Sequence, residues 1–141
     1  MITIDKKVVE GIVAHARKDA PLEACGYCAA RNGTIDAWYP LTNKDASAEH
    51  FSLVPGEQFT CVRTLRKEGR RLAAVYHSHP ATPSRPSAED IKLAADPGIS
   101  YIIVSLAGEK PVVKSFQIQN GISIEEPVRI LENKGGHYDG I

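Results

Sequence analysis

The chain has 141 residues, 43% of them apolar and 24% charged, the composition of an ordinary globular protein with room for one buried core. Seventeen basic residues balance seventeen acidic ones, and no run of lysine and arginine exceeds two residues. This speaks against nucleic-acid and anionic-membrane partners, which need a concentrated positive field. No stretch approaches the ~20 apolar residues of a membrane span, the first residues lack a signal-peptide core, and three cysteines are too few for a disulfide framework. These features predict a reducing, cytoplasmic setting and no membrane.

Residues 5–19 place Val8, Val9, Ile12, Val13 and Ala16 at helical spacing, with Pro21 beyond as a stop. Two extended runs follow, Ala24–Ala30 and Thr34–Leu41, around Asn32-Gly33, a strong hairpin signal. From Pro55 to about Arg70, Phe59, Val62 and Leu65 share one helical face. Leu72–Tyr76 predicts a buried strand. A loop with Pro80, Pro83 and Pro86 leads to a short helix at 88–95. Tyr101–Leu106 and Val112–Ile118 predict β-branched strands, and a shorter pair near Ile122–Ile124 and Val128–Leu131 is placed at the sheet edge. The order implies a single layered α/β domain over residues 1–131, a mixed β-sheet flanked by helices. Residues 132–141, poor in apolar side chains, predict a flexible tail.

The chemistry concentrates in Val75-Tyr-His77-Ser-His79-Pro80 and Ser87-Ala-Glu-Asp90. Histidines at i and i+2 on a strand point to the same face, so both imidazoles can reach one ion at its end. The proline-stiffened loop can fold back and bring Asp90 as a third ligand. Two histidines and a carboxylate leave one position of a tetrahedral zinc open for water, as in catalytic sites. Mixed nitrogen and oxygen ligation by itself admits other metals. A plainer alternative stays open: Ser87 and Asp90 also fit the N-cap and third position of a helix start, where an acid is favoured without any metal.

His77-Ser-His79-Pro80, seven residues, then Ser87-x-x-Asp90, resembles the JAMM motif of the JAB1/MPN/Mov34 metalloproteases with no position missing. Pro21-Leu-Glu23-Ala-Cys25-Gly26 is similar to the block carrying that family's catalytic glutamate, and Asn43–Phe51 with Pro55 resembles its middle region more loosely. Tyr27-Cys28-Ala29-Ala30 departs from the aliphatic residues expected there. The resemblance spans roughly residues 5–118 and implies a cytidine-deaminase-like fold with one zinc per chain. It implies His77, His79 and Asp90 as metal ligands, Glu23 as the base that holds and deprotonates the water, and Ser87 as hydrogen-bond partner of the developing oxyanion or of the water. Residue reasoning alone does not select Glu23 over Glu49, Glu57, Glu68 or Glu89. There is no HExxH, so the base must come from a distant segment.

The short chain resembles the compact prokaryotic branch, CysO-cysteine-type peptidases of ubiquitin-like sulfur-carrier proteins. That resemblance implies a substrate with a C-terminal Gly-Gly, cut after the second glycine to release cysteine or another adduct. Two alternatives compete: an inactive MPN-type binding module, and a structural zinc held by Cys25, Cys28, His77 and His79. Cys25 and Cys28, at i and i+3 on a strand, are expected to face opposite sides as small buried residues. His15, His50 and His137 have no spacing that recruits them and are expected at the surface. Gly135-Gly136 in the tail echoes the Gly-Gly of the expected substrate. The sequence names neither the carrier nor the oligomeric state.

Overall fold

The computed structural model describes residues 1–132. The tail, with Gly135-Gly136 and His137, lies outside the described residues beyond Glu132. In chain order the elements are β1 (Ile2–Asp5), α1 (Lys6–Asp19), β2 (Cys25–Arg31), β3 (Thr34–Leu41), α2 (Pro55–Lys67), β4 (Arg71–His79), α3 (Ala88–Leu93), β5 (Ser100–Ser105), β6 (Val112–Gln119), β7 (Ile122–Glu126) and β8 (Val128–Leu131). No helix among them is long and apolar enough to cross a membrane.

The strands form one mixed eight-stranded sheet in the order β7-β6-β5-β4-β2-β3-β1-β8. β2 and β3 form the expected hairpin, with Asn32 and Gly33 both at positive φ (53° and 82°), the backbone a tight primed turn requires. Tyr76 and Tyr39 crowd position 26 so closely that a side-chain carbon there would lie 2.5 Å from the Tyr39 carbonyl oxygen, which only glycine avoids.

The sheet buries both faces. α1 covers one with Val8, Ile12, Val13 and Ala16, packed on Ile4, Cys28, Ala74, Tyr76, Ile102 and Val104. α2 covers the other with Cys61 and Leu65, joined by Ile91 of α3, against Tyr27, Ala29, Val75, Tyr101, Ile103 and Phe116. Ala73 and Ala74 both join the α1-side core at a shift in the β2–β4 register, and from Ala74 onward alternation sends Val75 to the α2 side and Tyr76 to the α1 side.

The structure adds one unexpected strand and corrects one expectation. β1 is a strand that four residues were too short to announce; it lies between β3 and β8, parallel to both. The last two strands are not neighbours: β7 pairs with β6 at one edge, while β8 pairs with β1 at the other. Only Pro127 separates them, so the sheet curls until one bent segment serves both edges, and the Ile2 amide bonds the Pro127 carbonyl at 3.0 Å.

Candidate metal centre

His77 and His79 close the C-terminal end of β4, and alternation puts both on the α2 side of the sheet. Ser78 between them points the other way. Its backbone amide donates to the Ala24 carbonyl at 3.0 Å, and its hydroxyl accepts from the Ala24 amide at 2.8 Å. That clamp fixes the residue after Glu23. β2 pairs antiparallel with β4, with Cys25 opposite His77. Continuing that register two residues sets Glu23 across from His79, on the same face. Strand pairing is therefore the physical signal for Glu23, and it becomes visible only once β2 and β4 are known to be neighbours.

After His79 the chain leaves the sheet, but two bonds hold its loop down. The Ser84 hydroxyl donates to the Ile103 carbonyl at 2.8 Å, and the Ser105 hydroxyl donates to the Thr82 carbonyl at 2.6 Å. α3 then starts with a complete capping box: the Asp90 amide donates to Ser87 Oγ at 3.0 Å, and the Ser87 amide donates to Asp90 Oδ2 at 2.9 Å. The capping reading is thus correct, and it also does more. The box aims Asp90 Oδ2 at the two histidines, 3.1 Å from each Nε2, while the two Nε2 atoms lie 3.2 Å apart.

Three such atoms at these separations suit a tetrahedral ion, whose ligands at ~2.0–2.1 Å stand about 3.3 Å from one another. The hydrogen bonding of the rings agrees. His79 Nδ1 is 2.9 Å from the Pro83 carbonyl, so that nitrogen carries the proton and Nε2 presents its lone pair. His77 Nδ1 and Glu23 Oε1 are buried with no partner. Among the described residues, His77, His79 and Asp90 form the group of side chains that converge closely enough to share an ion. The donor set and the orphaned carboxylate oxygen beside it fit a bound zinc.

The electrostatics follow from burial. Glu23 is 3% exposed, and burial pushes its carboxyl up to about 8, partly offset by His79. Burial also opposes charge on Asp90, but its pairing with His77 and His79 overcomes it and holds that carboxyl well below the usual range. His77 is lowered by burial. His79 is raised in spite of burial, through Asp90 and the Pro83 carbonyl.

A loop over 42–54 roofs the site, organised by Asn43. Its amide group donates to the Glu23 and His50 carbonyls at 3.1 and 3.0 Å, and its oxygen accepts from the Asp45 and Ser52 amides. The Glu23 amide itself bonds the Ser47 carbonyl at 2.8 Å. Phe51 stacks on His77, ring centroids 4.7 Å apart. His50, half-exposed and 3.0 Å from Asp45, lines a cavity shared with His77 and Asp90. His50 thus keeps the expected surface position, but His15 does not: it is largely covered and bonds the Tyr76 hydroxyl at 2.7 Å and Asp19 at 3.1 Å.

The cysteines stand apart from this group. All three are buried and free. Cys28 packs in the core under α1, the opposite face from His77, and Cys25 Sγ contacts the Leu41 carbonyl, so the pair does not join the histidines in one four-ligand site.

The profile of the prokaryotic homologs of the JAB domain matches residues 5–119. The chain belongs to that family. It is 36% identical over 135 residues to the CysO-cysteine peptidase of Mycobacterium tuberculosis, covering 94% of this chain and 92% of the relative. To a probable TtuB-protein conjugate cleaving protease of Thermus thermophilus it is 31% identical over 122 residues, 86% of this chain and 78% of the relative. The solution structure of protein DSY2949 from Desulfitobacterium hafniense is 48% identical and superposes with a TM-score of 0.88, over 98% of both chains. The expected layered JAB/MPN fold is the one observed, and the relatives with named activities are peptidases.

Proposed function

We propose that this JAB-family protein is a zinc-dependent hydrolase that cuts a peptide or isopeptide bond after the C-terminal Gly-Gly of a ubiquitin-like sulfur-carrier protein, releasing cysteine or another adduct. The observation that carries the reading is the convergence of His77 Nε2, His79 Nε2 and Asp90 Oδ2 within 3.2 Å of one another, beside a buried carboxyl with an unpartnered oxygen. The relatives that act on CysO-cysteine and TtuB conjugates supply the substrate class.

In this reading His77, His79 and Asp90 hold one zinc. When bound, zinc supplies Lewis acidity that polarises the scissile carbonyl and brings the pKa of a coordinated water to about 7. Glu23 takes the proton from the attacking water and returns it to the departing amine. A carboxyl whose pKa lies near neutrality suits both transfers. The Ser87 oxygen is engaged by the Asp90 amide, which leaves its hydroxyl proton free to donate to the oxygen that becomes negative. Ser78 and Asn43 touch no substrate and act by fixing the peptide unit that joins Glu23 to Ala24.

The test is cleavage of a carrier ending in Gly-Gly-cysteine before chelation, after it, and after zinc is restored. Loss and recovery of cysteine release support the reading. Release that is indifferent to chelation, in protein stripped of metal, contradicts it.

A further inference from the structure

A cavity of about 320 Å³ opens directly beside the proposed ligands, with His77 and Asp90 in its wall. The rest of its lining is mainly apolar: Phe51 and Leu53 from the roofing loop, Leu93 from α3, and Tyr101, Ile103 and Ile118 from the sheet. Volume and lining are those of a small-molecule or side-chain pocket, not of a groove for bare backbone. Leu93 is 60% exposed although it belongs to this wall, so the cavity is open on that side.

A Gly-Gly tail cannot fill such a space. Both residues on the carrier side of the scissile bond lack side chains, and the third residue back begins about 7 Å from the reacting carbonyl along an extended chain. The residue on the other side of the bond lies one step away, about 3.8 Å between Cα atoms. A cavity that starts at the metal ligands is therefore reached first by the leaving residue. Cysteine, with one methylene and a thiol, would occupy a small part of it.

We propose that this cavity is the leaving-group pocket and that it selects an α-linked residue with a large apolar side chain, leucine or phenylalanine in size, over cysteine. The assignment rests on the hydrolase reading above. It goes further by naming a specificity that a carrier–cysteine substrate alone would not reveal.

The experiment uses zinc-loaded protein and a set of carrier-tail peptides ending Gly-Gly-X, with X cysteine, alanine, aspartate, leucine or phenylalanine, plus one peptide joined through Gly-Gly to a lysine Nε. Leucine and phenylalanine peptides are expected to give kcat/KM at least ~10-fold above alanine and cysteine, the scale of filling an apolar pocket. Leu93→Asp should collapse that ratio and Leu93→Met should keep it. In parallel, leucine amide and alanine amide are titrated against labelled protein, and leucine amide alone should shift Ile103 and Ile118 resonances. Equal rates for all X, or fastest cleavage of the aspartate or lysine-linked peptide, overturn the pocket and leave the hydrolase standing. No cleavage of any peptide, with leucine amide bound in the cavity, overturns the hydrolase reading and the leaving-group assignment with it. No cleavage and no binding overturns both.

Discussion

Glu23 and Glu126 are both buried carboxyl groups, and their environments are opposite. Glu126 Oε2 accepts from Ser100 Oγ at 2.7 Å, Ser115 Oγ at 2.8 Å and Gln117 Nε2 at 3.1 Å. Burial opposes its charge, and these donors overcome it and lower its pKa. Glu23 Oε1 has no donor at all, and burial raises its carboxyl to about 8. A satisfied carboxylate ties strands together. An unsatisfied one lowers stability, which makes sense where a cation and a mobile proton complete its surroundings.

The sharpest way to break this contrast is to remove the cation's ligands. His77→Ala should abolish zinc binding and turnover together, measured by metal analysis and product release. Glu23→Gln should keep zinc and lower turnover by ~10²–10⁴, the range for loss of a general base. Ser87→Ala should lower turnover by ~10²–10³ and also cost about 1 kcal/mol of stability, because it removes an oxyanion donor and a helix cap at once. Glu126→Ala should leave turnover within about twofold but cost roughly 1–3 kcal/mol, as two buried serine hydroxyls lose their acceptor. Urea titrations of the zinc-free protein separate that loss from metal binding.

The smallest effect concerns pH. Glu23 has a folded pKa above its ordinary 4.5, so the folded chain binds its proton more tightly than the unfolded chain does. Its favourable contribution is therefore complete below that ordinary value and is lost as pH rises toward about 8. Glu126, with its pKa lowered, has the reverse sign: its contribution is present above the ordinary value and is lost in acid. In zinc-free protein Glu23→Gln should flatten the decline of Tm between pH 5 and 8, and Glu126→Gln should flatten the acid limb.

The same contrast explains what the sequence could and could not tell. Local signals were legible: Asn32-Gly33 made its hairpin, Pro55 opened α2, and His77 and His79 share a face because a strand has period two. Asp90 was legible as a cap, and the cap turns out to aim the carboxylate. Glu23 lies outside any element, two residues before β2, and only the β2–β4 register brings it opposite His79; a family resemblance could point to it, but periodicity could not. The positions of β1, β7 and β8 were hidden for the same reason, since pairing between distant segments leaves no local period. His50 entered the cavity wall through the loop that Asn43 ties together, a network of side-chain to backbone bonds with no sequence spacing of its own.

The most direct test of the central claim is zinc content and turnover of wild type and Glu23→Gln, measured on the same preparations with a carrier ending in Gly-Gly-cysteine. About one zinc per chain is expected in both proteins, with cysteine release confined to wild type. Full activity in the variant, or wild type that turns over without metal, would contradict it.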